Sequence, residues 1–173
     1  MPCLVWNENW YLPNQWCHPH AEISSLDLTQ ARAAPGVVAI FTGADLASDN
    51  VPAMPCEVDL SDLAGTPMWR PMRPILAQGR VRFVGECVAL VVARTLAQAR
   101  EAAELIAIDY DVLPSVADSV TAVSPGAPVV WSELGHNVAV HWQNREVGPV
   151  DAAMAGAAHR VSIRIVNNRL VPA

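Results

Sequence analysis

One stretch constrains this chain more than any other. Residues 87–93 form an unbroken apolar run of strand length, bracketed by Glu86 and Arg94. Such a run suits a strand covered on both faces. A helix signal follows at once. Thr95 is an N-cap candidate with Gln98 at the capping-box spacing. Ala99, Ala102, Ala103 and Ile106 then share one helical face, with Arg100, Glu101 and Glu104 on the others. Residues 107–112 read as a second strand, stopped by Pro114. Strand, helix and strand in this order predict a βαβ-like unit, or an α+β hairpin covered by a helix.

Upstream, residues 22–26 predict a short strand. Asp27, with Gln30 three residues on, predicts the cap of a helix over 28–34, ended by Pro35 and Gly36. Residues 37–42 are β-branched and aromatic and read as a strand closed by Gly43, where a turn or single helical turn begins. Prolines 52, 55, 67, 71 and 74 make residues 48–79 the least regular region. Trp69 and Met68 there are expected to cover a core edge. Glu57, Asp59 and Asp62 lack the glycine and twelve-position frame of a calcium loop, so a solvated loop is expected.

Beyond Pro114, brief strands are expected at 129–131 and 137–142, and a helix at 150–158. In residues 160–166, Val161, Ile163 and Ile165 alternate with Arg160, Ser162 and Arg164, the pattern of a half-buried strand. The first 21 residues carry Trp6, Trp10, Tyr11 and Trp16 with no period and predict an irregular arm. There is no basic region followed by an apolar run that would read as a secretory signal, so a reducing cytoplasm is expected.

Composition narrows the function. The formal charge is −6 and every basic residue is arginine. That balance gives nucleic-acid binding no support, and no stretch is apolar enough to predict a membrane span. At 173 residues the chain can bury one good core. No nucleophile elbow or phosphate-cradling glycine run occurs. Cys17, His18 and His20 are candidate metal ligands, but Pro19 interrupts them and no second half appears, so a surface loop is the stronger reading. Glu86 is the acid of most interest: it follows Gly85 at a turn before the apolar run, placed either near a site or interface or as a turn residue bonded to local backbone. The residues alone therefore describe an α+β domain without a self-contained active site.

Several stretches, in order, resemble the large subunits of the molybdenum hydroxylases, the family of xanthine dehydrogenase, aldehyde oxidase and aerobic carbon monoxide dehydrogenase. They are residues 33–46 (AAPGVVAIFTGADL), 80–93 (RVRFVGECVALVVA, with Cys87 where the family usually has proline), 97–106 (AQAREAAELI), 109–114 (DYDVLP) and 135–137 (GHN). Residues 167–172 (NNRLVP) resemble the motif that opens the family's molybdopterin-binding portion. The resemblance implies an α+β fold, an α/β hammerhead with a mixed sheet covered by helices and an incomplete C-terminal helix-strand piece. It implies an irregular arm over 1–21, the hammerhead over 22–145, and the beginning of the cofactor domain over 146–173. The family's strand before its Pro-His pair, expected roughly where Trp16 and Cys17 meet His18, is not legible here, so a non-homologous N-terminal arm is expected.

By the same resemblance, the complete subunit holds a molybdopterin dinucleotide. It hydroxylates an aldehyde or N-heterocycle with an oxygen from water, or oxidises carbon monoxide. Partner chains carry FAD and 2Fe-2S clusters. The family's cofactor loops and catalytic glutamate match nothing in this chain, so no catalytic or cofactor-binding residue is carried over and no cofactor is expected on the chain alone. Phe83, Gly85, Glu86, Asn167, Asn168 and Arg169 are the expected domain-interface or site-proximal residues. Expected partners are the rest of the molybdopterin subunit, the FAD subunit and the iron–sulfur subunit, with self-association through the C-terminal end. A fragment or split subunit without independent catalysis is the first reading; a non-catalytic interaction module of the same fold is the alternative.

Overall fold

The computed structural model describes the backbone of residues 3–6, and residues 18–142 and 147–165 in full. The chain divides into two compact units, Met1–Pro55 with Met72–Ser115, and Cys56–Pro71 with Val116–Ala173.

The first unit holds β1 (Cys3–Trp6), β2 (Ala21–Asp27), α1 (Thr29–Ala33), β3 (Val37–Thr42), α2 (Gly43–Ser48), β4 (Arg80–Val81), β5 (Ala89–Ala93), α3 (Leu96–Glu104) and β6 (Ala107–Val112). The strands make two three-stranded sheets, β1-β5-β3 and β4-β2-β6. Every pairing in them is antiparallel. The α+β class and hammerhead-like layout stand. The expected βαβ-like unit does not: β5 and β6 flank α3 but lie in different sheets. β5 is paired on both sides by β1 and β3, so no edge remains to receive the strand that follows the helix.

The central position of β5 explains its composition. Ala89, Val91 and Ala93 are fully buried, and Leu90 and Val92 half-buried. They share a core with Leu28, Ala31, Ile40, Ala99, Ala102, Ala103 and Ile106. Thus the alanine face of α3 seats against the sheet, as its spacing predicts. Thr95 caps the helix by accepting the Gln98 N–H at 3.3 Å. The Gln98 amide lies against Gly36 instead of closing a capping box: a Cβ on Gly36 would fall 2.1 Å from Gln98 Oε1. Gly36 also has φ +80°, a region that favours glycine.

A smaller cluster, Ala21, Ala77, Val81 and Val88, lies against β2 and β6. Leu26 and Ile108 touch both clusters and tie the two sheets together. Bulges shift the register between Ile23 and Ser25 in β2 and between Val37 and Ala39 in β3. They explain why neither strand keeps strict alternation.

Local departures have local causes. Asp27 does not cap α1. Its carboxylate accepts the Thr29 N–H at 2.8 Å in a tight turn, leaving Leu28 at the cap position. Thr42 and Asp45 form a full capping box that opens α2. The arm expected over 1–21 contains β1, whose partner lies some 86 positions along the chain, beyond the reach of any local pattern. Residues 7–17 lie outside the described residues.

In the second unit, Ser61 bridges Pro67, and Asp62 accepts the Ala64 and Thr66 N–H groups, so part of the proline-rich region is a tight hairpin. Trp69 packs edge-on against Trp131 at 5.6 Å and donates its backbone N–H to Ala139 O. The brief strands expected at 129–131 and 137–142 are absent. Instead the Asn137 side chain donates to Ala122 O (3.0 Å) and Pro128 O (2.8 Å) and accepts the Val130 N–H (3.1 Å). One amide thus does by side chain what a ladder would do by backbone. α4 (Ser119–Ala122) is capped by Asp118, and α5 (Val147–Ala155) begins three residues before the helix expected at 150. Residues 160–165 form no strand, and the alternating Val161, Ile163 and Ile165 are exposed rather than half-buried. No described strand pairs with them, so the alternation has no sheet to enter.

Candidate functional site

Residues 82–86 form the most constructed polar feature among the expected site residues. Gly85 has φ +86° and turns the chain tightly enough to bring Glu86 back on Arg82. The Glu86 carboxylate accepts the Arg82 backbone N–H at 2.5 Å, and the Glu86 N–H donates to Phe83 O at 3.3 Å. Burial pushes the Glu86 carboxyl up from its ordinary value, against the pull of that hydrogen bond and of the Arg82 and Arg73 guanidinium groups. Glu86 is thus a turn residue bonded to local backbone, with its carboxyl partly withdrawn from water.

The clasp fixes what the loop displays. Phe83 is 43% exposed and Val84 52% exposed at its tip. The Arg73 guanidinium lies 5.3 Å from the Phe83 ring centroid, a cation–π contact. Arg73 itself is held by a bridge to Met54. Sequence reasoning missed Arg73 as part of this feature, since it stands ten positions from Phe83 with no spacing signal. Cys87 follows the clasp and its carbonyl accepts the Ala77 N–H at 2.7 Å.

The other expected residues lie apart from the loop. His20 is buried, its Nδ1 3.0 Å from Pro114 O. His18 packs edge-on to Tyr110 at 5.6 Å. Cys17, Asn167, Asn168 and Arg169 lie outside the described residues. Asp59 pairs with Arg70 at 3.7 Å, and Asp62 is committed to backbone N–H groups that hold its carboxyl below its ordinary value.

Among the described residues no three His, Cys, Asp or Glu side chains converge on a point. A cavity of about 110 Å³ in the first unit is lined by Leu46, Val51, Met72, Ile75 and Gln78 among others, and a more open one of about 410 Å³ in the second by Asp62, His141 and Trp142 among others. Neither is lined by an arginine that would meet the phosphates of a pterin dinucleotide. The linings of these two cavities do not fit that group. Among them, no helix is long and apolar enough to cross a membrane.

The comparisons agree with one another. The chain is 34% identical over 152 residues to the carbon monoxide dehydrogenase large chain of Afipia carboxidovorans, covering 81% of this chain and 17% of that one. It is 32% identical over 143 residues to the nicotine 6-hydroxylase large subunit of Paenarthrobacter nicotinovorans, covering 83% and 16%. The fold superposes on quinoline 2-oxidoreductase from Pseudomonas putida 86 with a TM-score of 0.72 at 29% identity, covering 91% of this chain and 18% of that one. The chain therefore spans about a sixth to a fifth of the length of such relatives. Residues 16–114, more than half the chain, match the family described as aldehyde oxidase and xanthine dehydrogenase, a/b hammerhead domain. Strands β2 to β6, the capped alanine-faced α3 and the glycine-turned loop before β5 fall inside that span, with β1 ahead of it, and the chain belongs to this molybdenum-hydroxylase family as a partial, hammerhead-bearing piece.

Proposed function

We propose that this chain is the hammerhead portion of a molybdenum-dependent hydroxylase or dehydrogenase, a fragment or split subunit that is not catalytic by itself. Its assembly acts on an aldehyde, an N-heterocycle or carbon monoxide. The observation that carries this reading is the match over residues 16–114 in a chain spanning 17% of a carbon monoxide dehydrogenase large chain. Residues 22–145 serve as the hammerhead domain and residues 146–173 begin the cofactor domain.

When bound in the assembled subunit, the molybdopterin dinucleotide supplies the hydroxylation chemistry, while FAD and 2Fe-2S clusters belong to partner chains. No chemical step runs through the residues described above. Their part is positional. The Glu86 clasp presents Phe83 and Val84 as an apolar tip with Arg73 across the ring, a surface suited to seat against another domain. By the resemblance, Asn167, Asn168 and Arg169 are further domain-interface or site-proximal candidates. We place the assembly in the cytoplasm.

The test is to purify the chain alone and together with the products of neighbouring reading frames. Each preparation is assayed with aldehydes, N-heterocycles and carbon monoxide against an artificial electron acceptor, and its molybdenum, iron and flavin are measured. Turnover and stoichiometric cofactors only in the co-purified complex are expected. Oxidation by the lone chain would overturn the proposal.

A further inference from the structure

Every buried residue among those described lies in the first unit. The buried apolar residues run from Ala21 to Ile106, skipping residues 56–71, and His20, Thr42 and Gly43 belong with them. Residues 56–71 and 116–142 of the second unit include none that is buried. Several of their large apolar side chains lie in water instead: Leu63 is 70% exposed, Val123 62% and Trp142 55%.

What joins these two segments is polar or half-open. Trp69 meets Trp131 edge-on, and its backbone N–H donates to Ala139 O at 3.0 Å. The Asn137 amide staples Ala122, Pro128 and Val130 together. Asp62 and Asp118 bond only within their own turns, and the Arg70–Asp59 pair is exposed on both sides, where such a pair adds little. Hydrogen bonds replace bonds to water for a small net gain, whereas apolar burial is the dominant favourable term. The second unit orders its backbone with little of that term to offset the lost entropy.

The crossings between units are also weak places for a ladder. The chain passes at Pro55–Cys56, Pro71–Met72 and Ser115–Val116. Prolines 55, 71 and 114 stand at or beside all three, and proline has no N–H with which to carry backbone pairing across. The base of the 56–71 excursion is pinned within the first unit, where the Met54 N–H donates to Arg73 O at 2.8 Å. Every strand pairing of β1 to β6 lies on the first unit's side of these crossings.

We propose that residues 56–71 and 116–142 open and close together as one cooperative body while both sheets of the first unit stay formed. The chain thereby carries a half whose order can change without disturbing its scaffold. Anything that binds only the closed form shifts that half toward closure by mass action. The opening belongs to the 173-residue chain itself, whatever enzyme that chain takes part in.

The experiment is residue-resolved native-state amide exchange of the full chain in rising, sub-denaturing urea, for the parent, W69A and V91A. In the parent, the Met68 and Val130 amides are expected to exchange at least about 100-fold faster than those of β5, through one shared opening with a shallower urea dependence. Neither amide bonds to Trp69: Met68 donates to Leu60 O and Val130 to Asn137. W69A is nevertheless expected to speed both by a common factor of about ten and leave β5 unchanged. V91A, which hollows the first core, is the reverse arm: faster exchange in β5, with Met68 and Val130 unchanged. Equal protection and urea dependence in both units overturn the proposal. So does W69A speeding β5 by the same factor or failing to fold, and so does W69A leaving Val130 unmoved.

Discussion

At the scale of single residues, Glu86 and Asn137 do the most with one side chain. A carboxyl that burial holds above its ordinary value of 4.5 binds protons in the folded chain where the unfolded chain has released them. Its contribution to stability is therefore fully present below the ordinary value and is lost as pH rises through the folded one. Glu86→Gln keeps an oxygen to accept the Arg82 N–H and removes the titration. Urea melts of both chains across pH 4–7 should show the variant gaining on the parent as pH rises. Asp27, Asp45, Asp62 and Asp118 are held the other way by their hydrogen bonds, so their contributions are lost as pH falls below 3.8; they cancel in the comparison. Asn137→Ala strands the Val130 N–H and two carbonyls, and should cost about 2–3 kcal/mol in the second unit. Faster amide exchange at Val130 is the measurement. The Glu86 clasp was half legible, since glycine before an acid marks a turn. The Asn137 staple was not, because its partners stand up to 15 positions away with no shared period.

At the scale of elements, local pattern worked where a segment's partner is one continuous surface. The alanine face of α3 names its own contact, because every residue on it meets β5 or its neighbours. Residues 160–165 show the limit of the same logic: alternation says which side chains want burial and nothing about what buries them. β1 shows the converse, four residues with no period that become a strand because β5 has a free side. The fit of α3 to its surroundings can be tested at the Gly36–Gln98 contact. Gly36→Ala forces the Gln98 amide aside and also costs about 1 kcal/mol for the left-handed backbone. Adding Gln98→Ala should recover the steric share and leave the backbone share, read as the difference in urea midpoint between the single and double variants.

At the scale of the whole molecule, both sheets of the first unit are closed by strands from its second half. β5 lies between β1 and β3, and β6 beside β2, so few pairings are local in sequence. That topology slows folding, since long loops must close before any ladder forms. Pulse-labelled exchange during refolding should protect the amides of β3 and β5 in one phase, with no earlier phase in which β3 is protected alone. The same order has a consequence during synthesis. The middle strand of the first sheet leaves the ribosome after both of its neighbours, so a nascent chain shorter than about 93 residues carries two ribbons and no centre. From the completion of β3 until β5 is made, β1 and β3 wait with their ladder amides unmatched, and that interval is the opportunity for a chaperone that shields such segments.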